Sequence, residues 1–166
     1  MATTAFKGTP VQLSGDLPAV GTQAPEYDLV GTDLEAVTRA SAEGRRVVLN
    51  VFPSVDTGVC AASVRRFNEL AADLDGVSVV CVSKDLPFAL DRFCGAEGIE
   101  NVVAASAFRS SFGADYGLIQ QDGPLMGLLG RAVVILDEAS VVQYTQLVPE
   151  ITEEPDYDGA LAALKG

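Results

Sequence analysis

Apolar residues along this chain follow two rhythms. From Arg45 to Phe52 the text Arg-Arg-Val-Val-Leu-Asn-Val-Phe is almost continuously apolar, which predicts a strand covered on both faces, as in a parallel sheet. After Pro53 the period lengthens. Val64, Phe67, Leu70, Ala71 and Leu74 recur at steps of three and four, predicting an amphipathic helix from about Cys60 with Arg65 and Glu69 paired on its wet side. Residues 77–82, Val-Ser-Val-Val-Cys-Val, predict a second buried strand. Strand, crossover helix and strand make a right-handed parallel unit.

The remaining pattern completes an architecture. Ser83 or Asp85 opens a shorter helix with Pro87 in its first turn, and Gly95 is expected to close it just after Cys94. Residues 102–105 predict a third parallel strand, and residues 108–116 a further helix. Near the N-terminus, segments 2–7 and 11–14 flank Gly8-Thr9-Pro10 as a hairpin turn, and residues 25–30 read as a short strand. Segments 132–136 and 141–145 are separated by Asp-Glu-Ala-Ser, a hairpin length, and a helix over about 157–164 follows. A βαβ unit followed by a ββα unit is the order of the thioredoxin fold. The expected class is therefore α/β, a central mixed sheet flanked by helices, with an added N-terminal β-hairpin. No repeat, low-complexity tract or long linker interrupts it, so residues 1–166 are expected to form one domain.

Composition narrows the partners. A chain of 166 residues buries enough surface to need no disulfide staples. Its 23 acids against 11 bases leave a net charge of −12 with no basic stripe, which excludes nucleic acid as a partner. No uncharged apolar run approaches about 18 residues, so no membrane span is expected. The first eight residues carry no apolar segment of signal-peptide type. Three cysteines, an odd number, suit a reducing compartment such as the cytoplasm. Glu150, Glu153, Glu154, Asp156 and Asp158 crowd one stretch, read as a solvated connector whose Asp156 and Asp158 favour the positive end of the last helix.

Histidine is absent, and this constrains the chemistry more than any residue present. Ser-His-Asp and Cys-His triads and His-ligated zinc are all excluded. Carboxylates, Lys, Arg, Tyr and three cysteines remain, and the three thiols lie in three environments. Cys60 sits at a predicted helix start, where unpaired N–H groups and the positive end of the dipole stabilise an anion. Cys94 sits toward the opposite end of its helix, and Cys81 lies within a buried strand. Cys60 is thus the candidate nucleophile, Cys94 a candidate second thiol and Cys81 a small core residue. Thr57 places a hydroxyl near Cys60, and Pro53 fixes the loop leaving the strand.

The string Pro53-Ser-Val-Asp-Thr57-Gly-Val-Cys60 resembles the Pro-x-x-x-Thr-x-x-Cys signature of peroxiredoxins. The longer text through Phe67 is similar to their bacterial thiol peroxidase branch. So are Ser83-Lys-Asp-Leu-Pro-Phe-Ala89, Arg92-Phe-Cys-Gly-Ala-Glu97, Asp122-Gly-Pro-Leu125 and Glu153-Glu-Pro-Asp-Tyr157. The resemblance implies that Cys60 is the peroxidatic cysteine, that Thr57 orients thiolate and peroxide, and that Pro53 shields the pocket. It implies that Cys94 resolves the oxidised Cys60 as an intrachain disulfide and that Arg131 is the active-site arginine. It further implies a homodimer, hydroperoxide substrates with alkyl hydroperoxides preferred, and thioredoxin as reductant, with no cofactor or metal.

Two other readings use the same residues. Cys60 and Arg66 fit the Cys-x-x-x-x-x-Arg spacing of cysteine phosphatases, but the intervening residues lack the glycines of a phosphate cradle. A peroxide-sensing switch would employ the same thiols without turnover. For a Cys60–Cys94 bridge, Cα atoms must approach to about 4.4 to 6.8 Å, so the first turn around Cys60 and the end of the Cys94 helix are expected to unwind, helped by Gly58 and Gly95.

Overall fold

The computed structural model describes residues 1–165. In chain order, β1 (Thr3–Phe6) and β2 (Thr9–Gln12) form a separate hairpin. β3 (Asp28–Gly31), β4 (Ala36–Thr38) and a 3-10 turn over Arg39–Ala42 lead to β5 (Arg46–Val51). Then α1 (Gly58–Ala71), β6 (Val77–Ser83), α2 (Pro87–Glu97) and β7 (Val103–Ser106) alternate. α3 (Phe112–Asp115), β8 (Ala132–Leu136), β9 (Val142–Leu147) and α4 (Tyr157–Lys165) follow. Seven strands make one sheet in the order β4-β3-β7-β6-β5-β8-β9. β5, β6 and β7 are parallel because α1 and α2 return the chain between them, and every other pairing is antiparallel. Among the described residues no helix is long and apolar enough to cross a membrane.

The unbroken apolar run of β5 has a direct cause in this layering. Val47, Leu49 and Val51 point to one face, against Leu29, Phe112, Tyr116 and Leu129. Val48 and Phe52 point to the other, against Val64 and Phe67 of α1, Leu90 of α2 and Leu164 of α4. A strand with core on both sides cannot alternate apolar with polar. Asn50 is the exception. It is fully buried on the helical face and donates to Ser63 Oγ (3.3 Å) and to Cys81 Sγ (3.7 Å).

Local chemistry moved several boundaries. The first hairpin turns at Lys7-Gly8, with φ of 51° and 82°, rather than across Gly8-Thr9-Pro10. Two left-handed residues match the twist of a two-residue hairpin, while Pro10 sits in β2 opposite Ala5. α2 runs past Gly95 to Glu97 and ends on Gly98, the residue with left-handed φ (64°). Of residues 108–116 only 112–115 are helical. Ser106 Oγ and Ser110 Oγ accept the N–H groups of Phe108 and Phe112, and such side-chain bonds compete with helical ones. Arg65 reaches across to Glu97 on α2 (3.1 Å), and it is Arg66 that pairs with Glu69 (3.3 Å). β4 and the 3-10 turn, short edge features, had no signature in the pattern.

Candidate active site

β5 delivers the chain to the site. Phe52 still bonds to β6 through its N–H (Val82 O, 3.1 Å), and the buried Pro53 then turns the backbone out of the sheet. Thr57, extended at φ −97° and ψ 144°, is the N-cap of α1, and its Oγ1 accepts the Cys60 N–H at 3.4 Å. The same hydroxyl donates to Ser54 O (3.1 Å). Its position near Cys60 agrees with expectation, and the work it does here is to hold the first turn. Cys60 itself is fully buried.

Arg131 arrives from the other direction. β8 runs antiparallel to β5 with Ala132 opposite Val51, so Arg131, one residue earlier, lies beside the point where the chain leaves β5. Its side chain is 1% exposed. Nε donates to Ile151 O (2.9 Å) and Nη2 to Cys60 Sγ (3.0 Å), while Nη1 is buried without a partner. None of the ion pairs among the described residues involves Arg131. A buried guanidinium without a carboxylate is suited to an anion beside it, and the atom it touches is the Cys60 sulfur. Arg131 also walls a cavity of about 90 Å³ together with Phe6, Pro53, Val59, Leu125 and Ile151, while Cys60 itself is not among its walls. Its one charged wall is Arg131.

The three cysteines are free thiols, and they occupy separate surroundings. Cys94, half-buried in the last turn of α2, lines a different cavity with Thr32, Val37 and Val102. No wall residue is common to the two cavities. Burial and the nearby Asp91 raise the Cys94 pKa. Burial pushes Cys81 up to about 12, against the opposing hydrogen bond from Asn50, so Cys81 is a core thiol as expected. Arg66 lies on the surface over the Tyr157 ring (5.9 Å) and beside Glu69, away from any cradle around Cys60, which removes the basis of the phosphatase reading.

Three supporting residues escaped the sequence reading. Ile151 contributes a carbonyl, which any residue could provide, so no signal existed. Glu150 is more than part of an acidic connector. Its carboxylate accepts from Thr152 N–H (3.0 Å), Gly8 N–H (2.7 Å), Thr152 Oγ1 (2.9 Å) and Lys7 N–H (3.1 Å), which lowers its pKa to about 2 and pins the hairpin over the site. Asp85 was visible only as a helix opener. It in fact accepts from Ser54 Oγ (2.7 Å), Val55 N–H (2.9 Å) and Ser83 Oγ (2.6 Å), tying the Pro53 loop to the approach to α2.

Comparison with known proteins finds relatives along nearly the whole chain. The Redoxin family matches residues 19–161. Over 164 residues the chain is 59% identical to a thiol peroxidase of Corynebacterium glutamicum and 56% identical to one of Mycobacterium bovis, with 99% of each chain covered. A peroxiredoxin-like protein from Aquifex aeolicus superposes with a TM-score of 0.94 at 44% identity, covering 99% of this chain and 96% of that one.

Proposed function

The chain belongs to the thiol peroxidases of the Redoxin family, enzymes that reduce hydroperoxides with thiols, and from that premise we propose that Cys60 is its peroxidatic thiol, Cys94 its resolving thiol and thioredoxin its reductant. The observation that carries this reading is the Arg131 guanidinium, with Nη2 on Cys60 Sγ and Nη1 buried and unpartnered. The Cys60 thiolate attacks one oxygen of the hydroperoxide. As the S–O bond forms the O–O bond breaks, and the distal oxygen leaves as an alkoxide that takes up a proton. Negative charge thus passes from sulfur to the leaving oxygen. A fixed cation with a second donor to offer can follow that charge without titrating. Pro53 and Thr57 wall the cavity and hold the thiol in place.

Cys60 is left as a sulfenic acid. The Cys94 thiol attacks its sulfur, water leaves, and an intrachain Cys60–Cys94 disulfide results. A thioredoxin dithiol reduces that bridge and is itself oxidised. The apolar walls at Phe6, Val59, Leu125 and Ile151 suit alkyl hydroperoxides, with hydrogen peroxide as a smaller substrate. We place the enzyme in the cytoplasm as a one-domain homodimer over residues 1–166. The odd thiol suits a reducing compartment, and the exposed Leu86, Phe88 and Met126 offer apolar surface to a second copy.

A coupled assay with thioredoxin and an organic hydroperoxide tests the assignment. Cys60→Ser abolishes turnover, Cys94→Ser permits a single oxidation without thioredoxin-driven recycling, and Cys81→Ser retains most activity. Full recycling by Cys94→Ser overturns the resolving role.

A further inference from the structure

Asp85 lies where the loop that leads to one thiol meets the helix that carries the other. It stands two residues beyond β6 and two before α2, half-buried. Its Oδ1 accepts from Ser54 Oγ–H, and its Oδ2 from Val55 N–H and Ser83 Oγ–H. Its own carbonyl accepts from Ser106 Oγ at the end of β7, so the backbone of this segment is held from below as well. Ser54 passes the constraint on. Its Oγ accepts the Asp56 N–H (3.1 Å) and its carbonyl accepts both the Thr57 N–H (3.2 Å) and the Thr57 hydroxyl (3.1 Å). Thr57 in turn caps Cys60. A continuous path of hydrogen bonds therefore runs from Asp85 through Ser54 and Thr57 to the first turn of α1.

We propose that Asp85 is a positioning residue with two opposed effects on the catalytic cycle. It holds the 53–57 loop in the arrangement in which Cys60 meets Arg131 and peroxide, and it resists the opening that carries Cys60 to Cys94. The inference rests on the roles assigned above to Cys60 and Cys94. The opposition follows from geometry. Cys60 is fully buried against Arg131, while Cys94, in the last turn of α2, is half-buried and lines a cavity whose walls include neither Cys60 nor Arg131, so a bridge requires the first turn of α1, the end of α2 or both to leave their places. Bonds to Asp85 are made in the closed arrangement and lost in the open one. Two charge-assisted bonds from the loop to one carboxylate outweigh the other side-chain link between this loop and α2, the solvent-screened Arg92–Asp56 pair at 3.3 Å.

The test follows the two steps separately in reduced protein mixed with one equivalent of an organic hydroperoxide. Sulfenic acid on Cys60 is trapped with a dimedone reagent, and the Cys60–Cys94 disulfide is quantified by mass spectrometry after rapid quenching. In Asp85→Ala the rate constant for Cys60 oxidation falls about tenfold, while that for disulfide formation rises several-fold, as expected when charge-assisted hydrogen bonds are lost from the closed state alone. Asp85→Asn, which keeps one acceptor oxygen, recovers part of both. Ser54→Ala, which removes a single link and tests the path should Asp85→Ala fail to fold, shifts both rates in the same opposite senses to a smaller extent. A parallel fall of both rates in all variants means that Asp85 only stabilises the fold, and unchanged rates mean that the path is idle. Either result overturns the proposal. Wild-type protein that bridges Cys60 to Cys81, or leaves Cys60 unoxidised, would instead overturn the thiol assignments.

Discussion

Arg131 is buried to 1% exposure, carries a charge and has no carboxylate partner, a combination that costs stability unless the group beside it is anionic. Arg131→Lys retains the charge but loses the planar fork that reaches Ile151 O, Cys60 Sγ and the cavity together. The expected result is a loss of about 10²-fold in the rate constant for peroxide reduction, the size typical of removing one preorganised donor, measured by stopped-flow mixing of reduced protein with hydroperoxide. At this scale the sequence was informative about residues whose role depends on local context. Cys60 stands out because it falls at a predicted helix start, and it does lie in the first turn of α1, whose cap at Thr57 the pattern did not specify. Asp85 and Glu150 were missed because each carboxylate serves groups distant along the chain. Glu150 bonds to Lys7 and Gly8, and Asp85 to Ser54 and Val55.

The element that carries Cys94, the thiol proposed to resolve Cys60, is α2. Its true end is Gly98, with φ 64°, and Gly95 lies in its interior with open space around its Cα. Opposite signs follow for the same substitution at these two sites. Gly98→Ala forces an L-residue into the left-handed region and destabilises the protein by about 1–2 kcal/mol. Gly95→Ala removes backbone freedom in mid-helix and stabilises it by up to about 1 kcal/mol. Urea denaturation of the two variants measures both, and a stabilising Gly98→Ala would refute the capping assignment. The sequence pattern located α2 and its Pro87 start, yet chose the wrong glycine. Two glycines three residues apart are equivalent as letters, and only the backbone angle distinguishes a cap from an interior residue. The 108–116 segment fails similarly, because serine hydroxyls at 106 and 110 take the N–H groups that a helix would have used.

At the scale of the whole molecule, the proposed cycle has the chain held in one arrangement for peroxide reduction and released for disulfide formation. α1 and the loop before it are joined to α2 at their solvated edges by Arg65–Glu97 and Arg92–Asp56, exposed pairs that contribute little and yield readily. β5 and β8 beneath them are fully buried across Val47–Val51 and Ala132–Ile135. Hydrogen exchange compared between reduced and oxidised protein is expected to lose protection around 57–62 and 93–98 on oxidation, by an order of magnitude or more on the rate scale of local opening, while β5 and β8 remain unchanged. Equal protection in the two states would mean that no local unfolding accompanies the bridge.

What the sequence by itself determined about this protein is what neighbours along a chain can settle. The doubled burial of β5, the period of α1, the placing of the Thr57 hydroxyl near Cys60 and the exclusion of imidazole chemistry in a chain without histidine all follow from residues a few positions apart, or from composition alone. Only the tertiary structure decided that Arg131, 71 residues from Cys60, donates to its sulfur. It also decided that Asp85 joins two loops and that Cys60 is fully buried against Arg131 while Cys94 lines a cavity elsewhere. The reason is physical: these contacts depend on strand order, antiparallel register and the layer of core to which each side chain is assigned. Such quantities arise when distant segments bury one another, and no local pattern encodes them.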